Sequence, residues 1–241
     1  MPKASATAPP VQIEGPDPDG KFDPEFFRFL KELARHNEKV WFTANKERYL
    51  KHVQGPSSGF VRAIGPELST LSPYLIADPR PVGGSLMRIY RDVRFSKDKS
   101  PYRTTVGIHF MLDAQGKDED HFPGFFLHLA PQDSWVYAGV WQPAPPQLER
   151  IRRAIVDRPS EWKKLRASVP PIEGESLKRP PAGFDPSHPL IEDLKRKGFT
   201  AGVGLKDSDV TASDFPARFL EGCGKLDPLN RFLAKALGVD Y

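Results

Sequence analysis

Cysteine is almost absent from this 241-residue chain, where Cys223 stands alone. No intramolecular disulfide and no cysteine-rich zinc site can form, which suits a reducing compartment. Long apolar runs are missing as well, and nothing approaches the roughly 20 consecutive apolar residues that span a bilayer. Met1 to Pro10 holds one lysine, small residues and prolines where a secretory signal would carry an apolar stretch. There is no P-loop, no dinucleotide fingerprint and no H-E-x-x-H zinc motif. These absences lead to the expectation of a soluble, cytoplasmic protein with no membrane span, no metal and no cofactor. They fix no oligomeric state.

Charge of one sign is also scarce in total. The formal charge is +4, from 35 basic and 31 acidic residues, too modest to imply nucleic-acid binding by itself. Its distribution is uneven. Between Gly84 and Val106 stand Arg88, Arg91, Arg94, Lys97, Lys99 and Arg103 against Asp92 and Asp98, so this one window holds the whole excess. A second local excess lies between Leu177 and Phe199, with Lys178, Arg179, Lys195, Arg196 and Lys197 against Asp185, Glu192 and Asp193.

What is present is enough for a sizeable core: 39% hydrophobic and 11% aromatic residues, with 16 Phe and 4 Trp spread along the chain. One domain is expected over residues 21–241, preceded by a disordered proline-rich tail over 1–20, which has too few large apolar groups to offset the entropy of ordering. Asp23 and Pro24 form an N-cap and first-turn pair, after which Phe26, Phe27, Leu30, Leu33 and Ala34 recur at helical spacing. A second helix is expected from Glu38 to His52, broken by Gly55, Pro56 and Gly59. A third runs from Phe60 to Leu71 with Pro66 to kink it.

The period then changes. Val106, Ile108, Phe110 and Leu112 alternate with Thr105, Gly107, His109 and Met111, a half-buried strand, and Phe122–Leu129 and Ser134–Trp141 read similarly. The acidic stretch Asp113 to His121 suits an antiparallel hairpin connection. Leu148, Ile151, Ala154 and Ile155 mark an amphipathic helix, and a shorter helix is expected around Trp162 and Leu165. Val169 to Pro189 is too rich in proline for regular structure. Helices are expected at Leu190–Lys197, Ser213–Glu221 and Pro228–Leu237, each followed by a glycine: Gly198, Gly222 and Gly238. Strands grouped between helices define the fold class as α+β, with N-terminal helices, a central mainly antiparallel sheet and C-terminal helices.

The stretch LMRIYRDVRFSKDKSPYR, Leu86 to Arg103, is the most unusual in the chain. As a strand it puts Met87, Ile89, Arg91, Val93 and Phe95 on one face and Arg88, Tyr90, Asp92 and Arg94 on the other; as a helix, Leu86, Ile89, Tyr90 and Val93 make a stripe. Turn residues from Ser96 to Pro101 favour a strand followed by a loop. Arginine forks beside lysines and tyrosines suit a phosphate or carboxylate, with Asp92 orienting an arginine. Buried cations need counter-ions, however, so a structural ion-pair network accounts for the same residues.

RIYRDVRFSKDKSPYR, together with Trp41-Phe42, Asn45 and Tyr49 upstream and LKRPPAGFDPSHP and LKRKGF downstream, resembles the uncharacterised family catalogued as domain of unknown function 2461. The resemblance covers roughly Phe22 to Leu237. It implies that Arg88, Arg91, Asp92, Arg94, Lys97, Asp98, Lys99, Pro101 and Tyr102 belong to one family pattern, and it implies no activity. Two departures are Ala182, where the pattern has lysine, and Gly198, where it has serine.

The candidate anion-binding set is therefore Arg88, Arg91, Asp92, Arg94, Lys97, Lys99, Tyr102 and Arg103, joined by Lys178 and Arg179 if the stiff proline-rich loop closes over the sheet. Gly55-Pro56-Ser57-Ser58-Gly59 fits G-x-S-x-G but lacks the preceding buried strand that a nucleophile elbow needs. His109 and His128, on adjacent strands, are read as strand histidines and not as metal ligands. Asp118, Glu119 and Asp120 read as a solvated loop. The first functional expectation is a domain, enzymatic or not, that binds an anionic or phosphorylated small molecule. The second is nucleic-acid binding, with Tyr90, Phe95 and Tyr102 available for stacking. The third is an interaction scaffold whose ion pairs are structural.

Overall fold

The computed structural model describes residues 20–113 and 122–241. The remainder of the expected tail (residues 1–19) and of the acidic connection (residues 114–121, with Asp118, Glu119, Asp120 and His121) lies outside the described residues. Helices make up 46% of the chain and stand at both ends of it around a four-stranded antiparallel sheet, an α+β fold. No helix among the described residues is long and apolar enough to cross a membrane.

Helix α1 (Pro24–Arg35) starts where its cap residue requires: Asp23 Oδ1 accepts the Phe26 N–H at 3.1 Å. It buries Phe26, Phe27, Phe29, Leu30 and Leu33. Helices α2 (Lys39–Ala44) and α3 (Lys46–Tyr49) lead into a π turn, Leu50–Gln54, and then into α4 (Gly55–Leu71). The expected break at Gly55, Pro56 and Gly59 is thus replaced by a change of helix type. Proline in a regular turn removes a hydrogen bond and drives its ring into the carbonyl four residues back. The wider π turn just before Pro56 accommodates it, with the Gly55 N–H reaching the Leu50 carbonyl. Ser57 lies buried and donates its hydroxyl to the Val53 carbonyl at 2.6 Å, so the G-x-S-x-G match has neither a strand before it nor an exposed nucleophile. Helix α4 also runs on through Pro66.

Strands β1 (Val106–Met111), β2 (Gly124–Leu129) and β3 (Ser134–Val140) form the meander that their alternation predicts, with Ile108 opposite Leu127 and Leu127 opposite Val136. After α5 (Pro145–Asp157) and α6 (Pro159–Ser168), the expected helix over Leu190–Lys197 shrinks to α7 (Ile191–Leu194). A fourth strand that the sequence pattern concealed, β4 (Phe199–Leu205), then pairs with β3. Gly198 is consequently no helix stop. A side chain there would overlap the Trp141 carbonyl oxygen, so the close pairing of this segment with the end of β3 requires glycine.

A short α8 (Asp207–Val210) precedes α9 (Phe215–Leu237), which replaces the two C-terminal helices expected and runs through Pro228. Gly222 lies inside it as a packing position: a Cβ would stand 3.3 Å from Val136 Cγ2. Gly238 does cap the helix in the left-handed conformation, at φ 66°. One face of the sheet packs on α9, and Phe60, Phe110, Phe215 and Phe219 join α4, β1 and α9 through ring contacts of 5.2–5.5 Å. Burying each such phenylalanine contributes about 1.5–3 kcal/mol.

Candidate functional site

The basic motif runs along the free edge of β1. Met87 donates its N–H to Gly107 at 2.9 Å, and His109 donates to Ser85 at 3.0 Å. Further out, Arg103 donates to Ile89 at 2.7 Å and Arg91 to Pro101 at 2.9 Å. The register slips by two residues between these pairs, so the segment is extended and paired through isolated bridges (Leu86 with Ile108, Tyr90 with Tyr102) and forms no regular strand. Residues 92–100 project as a loop, and Phe95, 95% exposed, stands clear of the core.

Where this hairpin meets the end of α1, a cleft of about 380 Å³ is lined by Ala34, Asn37, Arg91, Asp98, Ser100, Tyr102, Arg103, Thr104 and Thr105. Asn37 anchors it, donating from Nδ2 to the Tyr102 carbonyl at 2.9 Å and accepting the Tyr102 N–H on Oδ1 at 3.0 Å. The Tyr102 ring is buried against Phe42, centroids 4.1 Å apart, and so belongs to the core beneath the cleft. Burial raises its phenol pKa.

Two arginines face the cleft, in different states. Arg91 Nη1 donates to Asp98 Oδ2 at 2.5 Å and to the Ser100 carbonyl at 3.0 Å. Asp98 Oδ1 also accepts the Ser100 N–H at 2.9 Å and its hydroxyl at 2.6 Å. These Ser100 bonds, side chain first, and then Arg91 hold the Asp98 carboxyl at about 2. Arg103, by contrast, has a buried Nε with no hydrogen-bond partner among the described residues.

The other members of the candidate set are not in the cleft. Arg94 is closed on Asp92, with Nε at 3.0 Å from Oδ1 and Nη2 at 2.6 Å from Oδ2, so Asp92 orients an exposed turn and Asp98 is the carboxylate at the cleft. Lys99 donates to the Val93 carbonyl at 3.0 Å. Arg88 and Lys97 are exposed. Lys178 and Arg179 are exposed on a loop that bridges to Thr200 and Arg196, on the β4 side of the sheet. With about 4.8 Å between strands, that edge lies roughly 20 Å from the motif, and the structure does not bring the two basic patches together. In the second patch Lys195 pairs with Glu192 at 2.7 Å, Arg196 with Asp193 at 3.4 Å and Lys197 with Glu175 at 2.9 Å.

Asn37, Ser100, Thr104 and Thr105 were not among the sequence candidates. Ser100 lies within the motif and Thr104 and Thr105 follow it directly, so all three had a local signal; Asn37 lies 65 residues from Tyr102 and had none. His109 faces Phe126, and His128 faces Gly107. Burial pushes both imidazoles down, towards the neutral form. No group of three metal-ligating side chains occurs among the described residues.

Fold and site together define an α+β protein with a polar, arginine-bearing cleft at the edge of an antiparallel sheet. The model of the family described as conserved hypothetical protein (DUF2461) matches residues 25–232, and the chain belongs to that family. The matched span contains the whole motif and every residue of the cleft. No curated protein and no solved structure matches the chain.

Proposed function

We propose that the protein binds an anionic or phosphorylated small molecule in the cleft between α1 and the basic hairpin, with Arg91 and Arg103 as the groups that hold the anion. The observation that carries this reading is the buried Arg103 Nε beside Arg91, which has no hydrogen-bond partner among the described residues. A buried donor left unsatisfied costs about 1–3 kcal/mol, so an acceptor entering the cleft would recover that loss. Asp98 occupies Arg91 as an internal carboxylate, and an incoming carboxylate or phosphate would take its place in a charge-assisted contact. Asn37, Ser100, Thr104 and Thr105 supply the neutral hydrogen-bonding groups that select among anions. A thermal-shift screen with inorganic phosphate, sugar phosphates, nucleotides and dicarboxylates tests this. A ligand at about 100 times its Kd adds about 2.7 kcal/mol of stability. A flat screen at millimolar concentrations refutes the proposal.

Nucleic-acid binding is the second reading, supported by the exposed rings of Phe95 and Tyr90 (54%) beside Arg88, Arg94, Lys97 and Lys99. Four phosphate contacts would give a log affinity against log salt slope of about −3 to −4. The Arg91–Asp98 and Arg94–Asp92 pairs support the scaffold reading at those two arginines only.

A further inference from the structure

The sheet face turned away from α9 carries aromatic rings laid flat across glycines. Phe126 covers Gly107, where a Cβ would stand 2.8 Å from its Cζ, and Tyr137 covers Gly202, with Cε1 at 2.6 Å from such a Cβ. Trp135 lies over Gly204 at 3.6 Å and is stacked with Tyr137, centroids 5.7 Å apart and planes 18° apart. Large side chains at these positions of β1 and β4 would have lifted the rings onto their edges. Glycine lets them lie down, leaving their electron-rich faces half-exposed.

The flanks of this row are acidic. Asp133 accepts the Trp135 indole N–H at 2.7 Å. Glu173 bridges to Thr200, which lies opposite Gly139 at the far end of β3. Both carboxylates are exposed, and neither has an ion-pair partner among the described residues, whereas neighbouring Glu175 is taken by Lys197 at 2.9 Å. Both raise the pKa of the Tyr137 hydroxyl, behind the larger effect of burial, so both charges act on the same ring row. Burial keeps His109 and His128 towards the neutral form, so this face gains no opposing charge from them at neutral pH.

We propose that this face docks an extended basic peptide segment, whose Lys or Arg side chains lie on Trp135 and Tyr137 between Asp133 and Glu173. Cations bind the faces of tryptophan and tyrosine, and flanking carboxylates add to that attraction. Asp133 and the Gly139 position are six residues apart along β3, about 20 Å in an extended strand, farther than one ammonium group reaches. An extended chain with two cationic side chains spans that length. The platform is open, as a peptide requires. On a chain of formal charge +4, an acidic aromatic face is a local exception that non-specific attraction to a basic peptide would not single out.

The test is fluorescence anisotropy of a labelled peptide carrying two arginines about six residues apart in a Gly/Ser background, matched with the same peptide carrying glutamates. The expected result is saturable binding of the arginine peptide only, weakened at least about tenfold in Asp133→Asn/Glu173→Gln. Circular dichroism confirms that the double variant is folded, since both side chains are exposed. Arg103→Met binds the peptide unchanged, which separates this face from the cleft. No binding, or equal binding by the double variant, overturns the proposal. Displacement of the peptide by equimolar tetramethylammonium also overturns it, in favour of a small organic cation.

Discussion

Asn37 grips Tyr102 by both backbone groups, donating to its carbonyl at 2.9 Å and accepting its N–H at 3.0 Å. One side-chain amide thereby replaces a strand partner at the point where the basic hairpin leaves the sheet. The Tyr102 ring, stacked on Phe42 at 4.1 Å, fixes the same residue from the core side. Arg103 follows immediately, so its position relative to Arg91 depends on a joint made by the α1–α2 connection, α2 and the motif. The cleft is a tertiary construction on a local charge pattern.

Removing this joint affects stability and binding together. Asn37→Ala leaves the Tyr102 N–H and carbonyl without their partner and is expected to cost about 2–3 kcal/mol. Urea denaturation reads that loss. Affinity for any anion found in the screen falls as well, because Arg91 and Arg103 lose their fixed spacing. A stability loss with unchanged affinity would show that the joint is structural only.

Asp98 competes with a bound anion for Arg91. Asp98→Asn removes the competing charge and keeps the side-chain shape, so anion affinity rises by about two- to fivefold, the range of an exposed ion pair. The same carboxylate makes the loop sensitive to acid. Its pKa falls from the ordinary 3.8 to about 2 on folding, so the folded state binds the proton less readily than the unfolded one. The stabilisation is complete above pH 3.8 and fades as the pH falls towards 2. Amide exchange of Ser100, whose N–H is bonded to Asp98, is expected to quicken in that window in the parent protein and to be insensitive to it in Asp98→Asn.

How much of this was legible follows from how local each cause is. Helix α1 was readable because Asp23, Pro24 and the Phe/Leu stripe act within one element. Strands β1 to β3 were readable because one buried face imposes alternation. Strand β4 was hidden because Gly202 and Gly204 are chosen for the rings of Tyr137 and Trp135, partners more than 60 residues earlier, and glycine erases the strand signal. The π turn was hidden because Pro56 and Gly55 signal a break as readily as a change of helix pitch. Gly222 signalled a stop but serves contact with Val136. At the site, the cationic density from Arg88 to Arg103 was visible as composition. Which arginine pairs with which carboxylate was not, since Asp92 and Asp98 both lie within reach of Arg91 and Arg94 along the chain, and Arg91 takes the farther of the two.

Gly139 is expected to tolerate no side chain. It lies at φ 113°, a Cβ there would overlap the Phe199 carbonyl oxygen, and its N–H is bonded to the buried Asn230 at 2.9 Å. Gly139→Ala combines backbone strain with overpacking between β3 and β4, for a loss of about 3 kcal/mol or more. A melting temperature within a degree of the parent would contradict this account of the β3–β4 junction. Gly83, with a positive φ but open space around it, is the control: Gly83→Ala is strained without a clash and costs less.

Arg103 offers the sharpest separation of binding from structure. Its buried Nε has no hydrogen-bond partner among the described residues, so the folded protein already bears the cost of desolvating that group. Arg103→Met keeps the aliphatic stem, which packs, and removes the unsatisfied donor. Stability to urea should therefore hold or rise. Anion affinity should fall by about tenfold or more, since hydrogen bonds to a charged group contribute about 1.5–3 kcal/mol. Arg103→Lys keeps the charge but loses the planar fork, and should recover only part of the affinity for a carboxylate or phosphate. If Arg103→Met instead unfolds more easily and leaves every ligand in the screen bound as before, the arginine is a structural residue and the cleft is not where the anion sits.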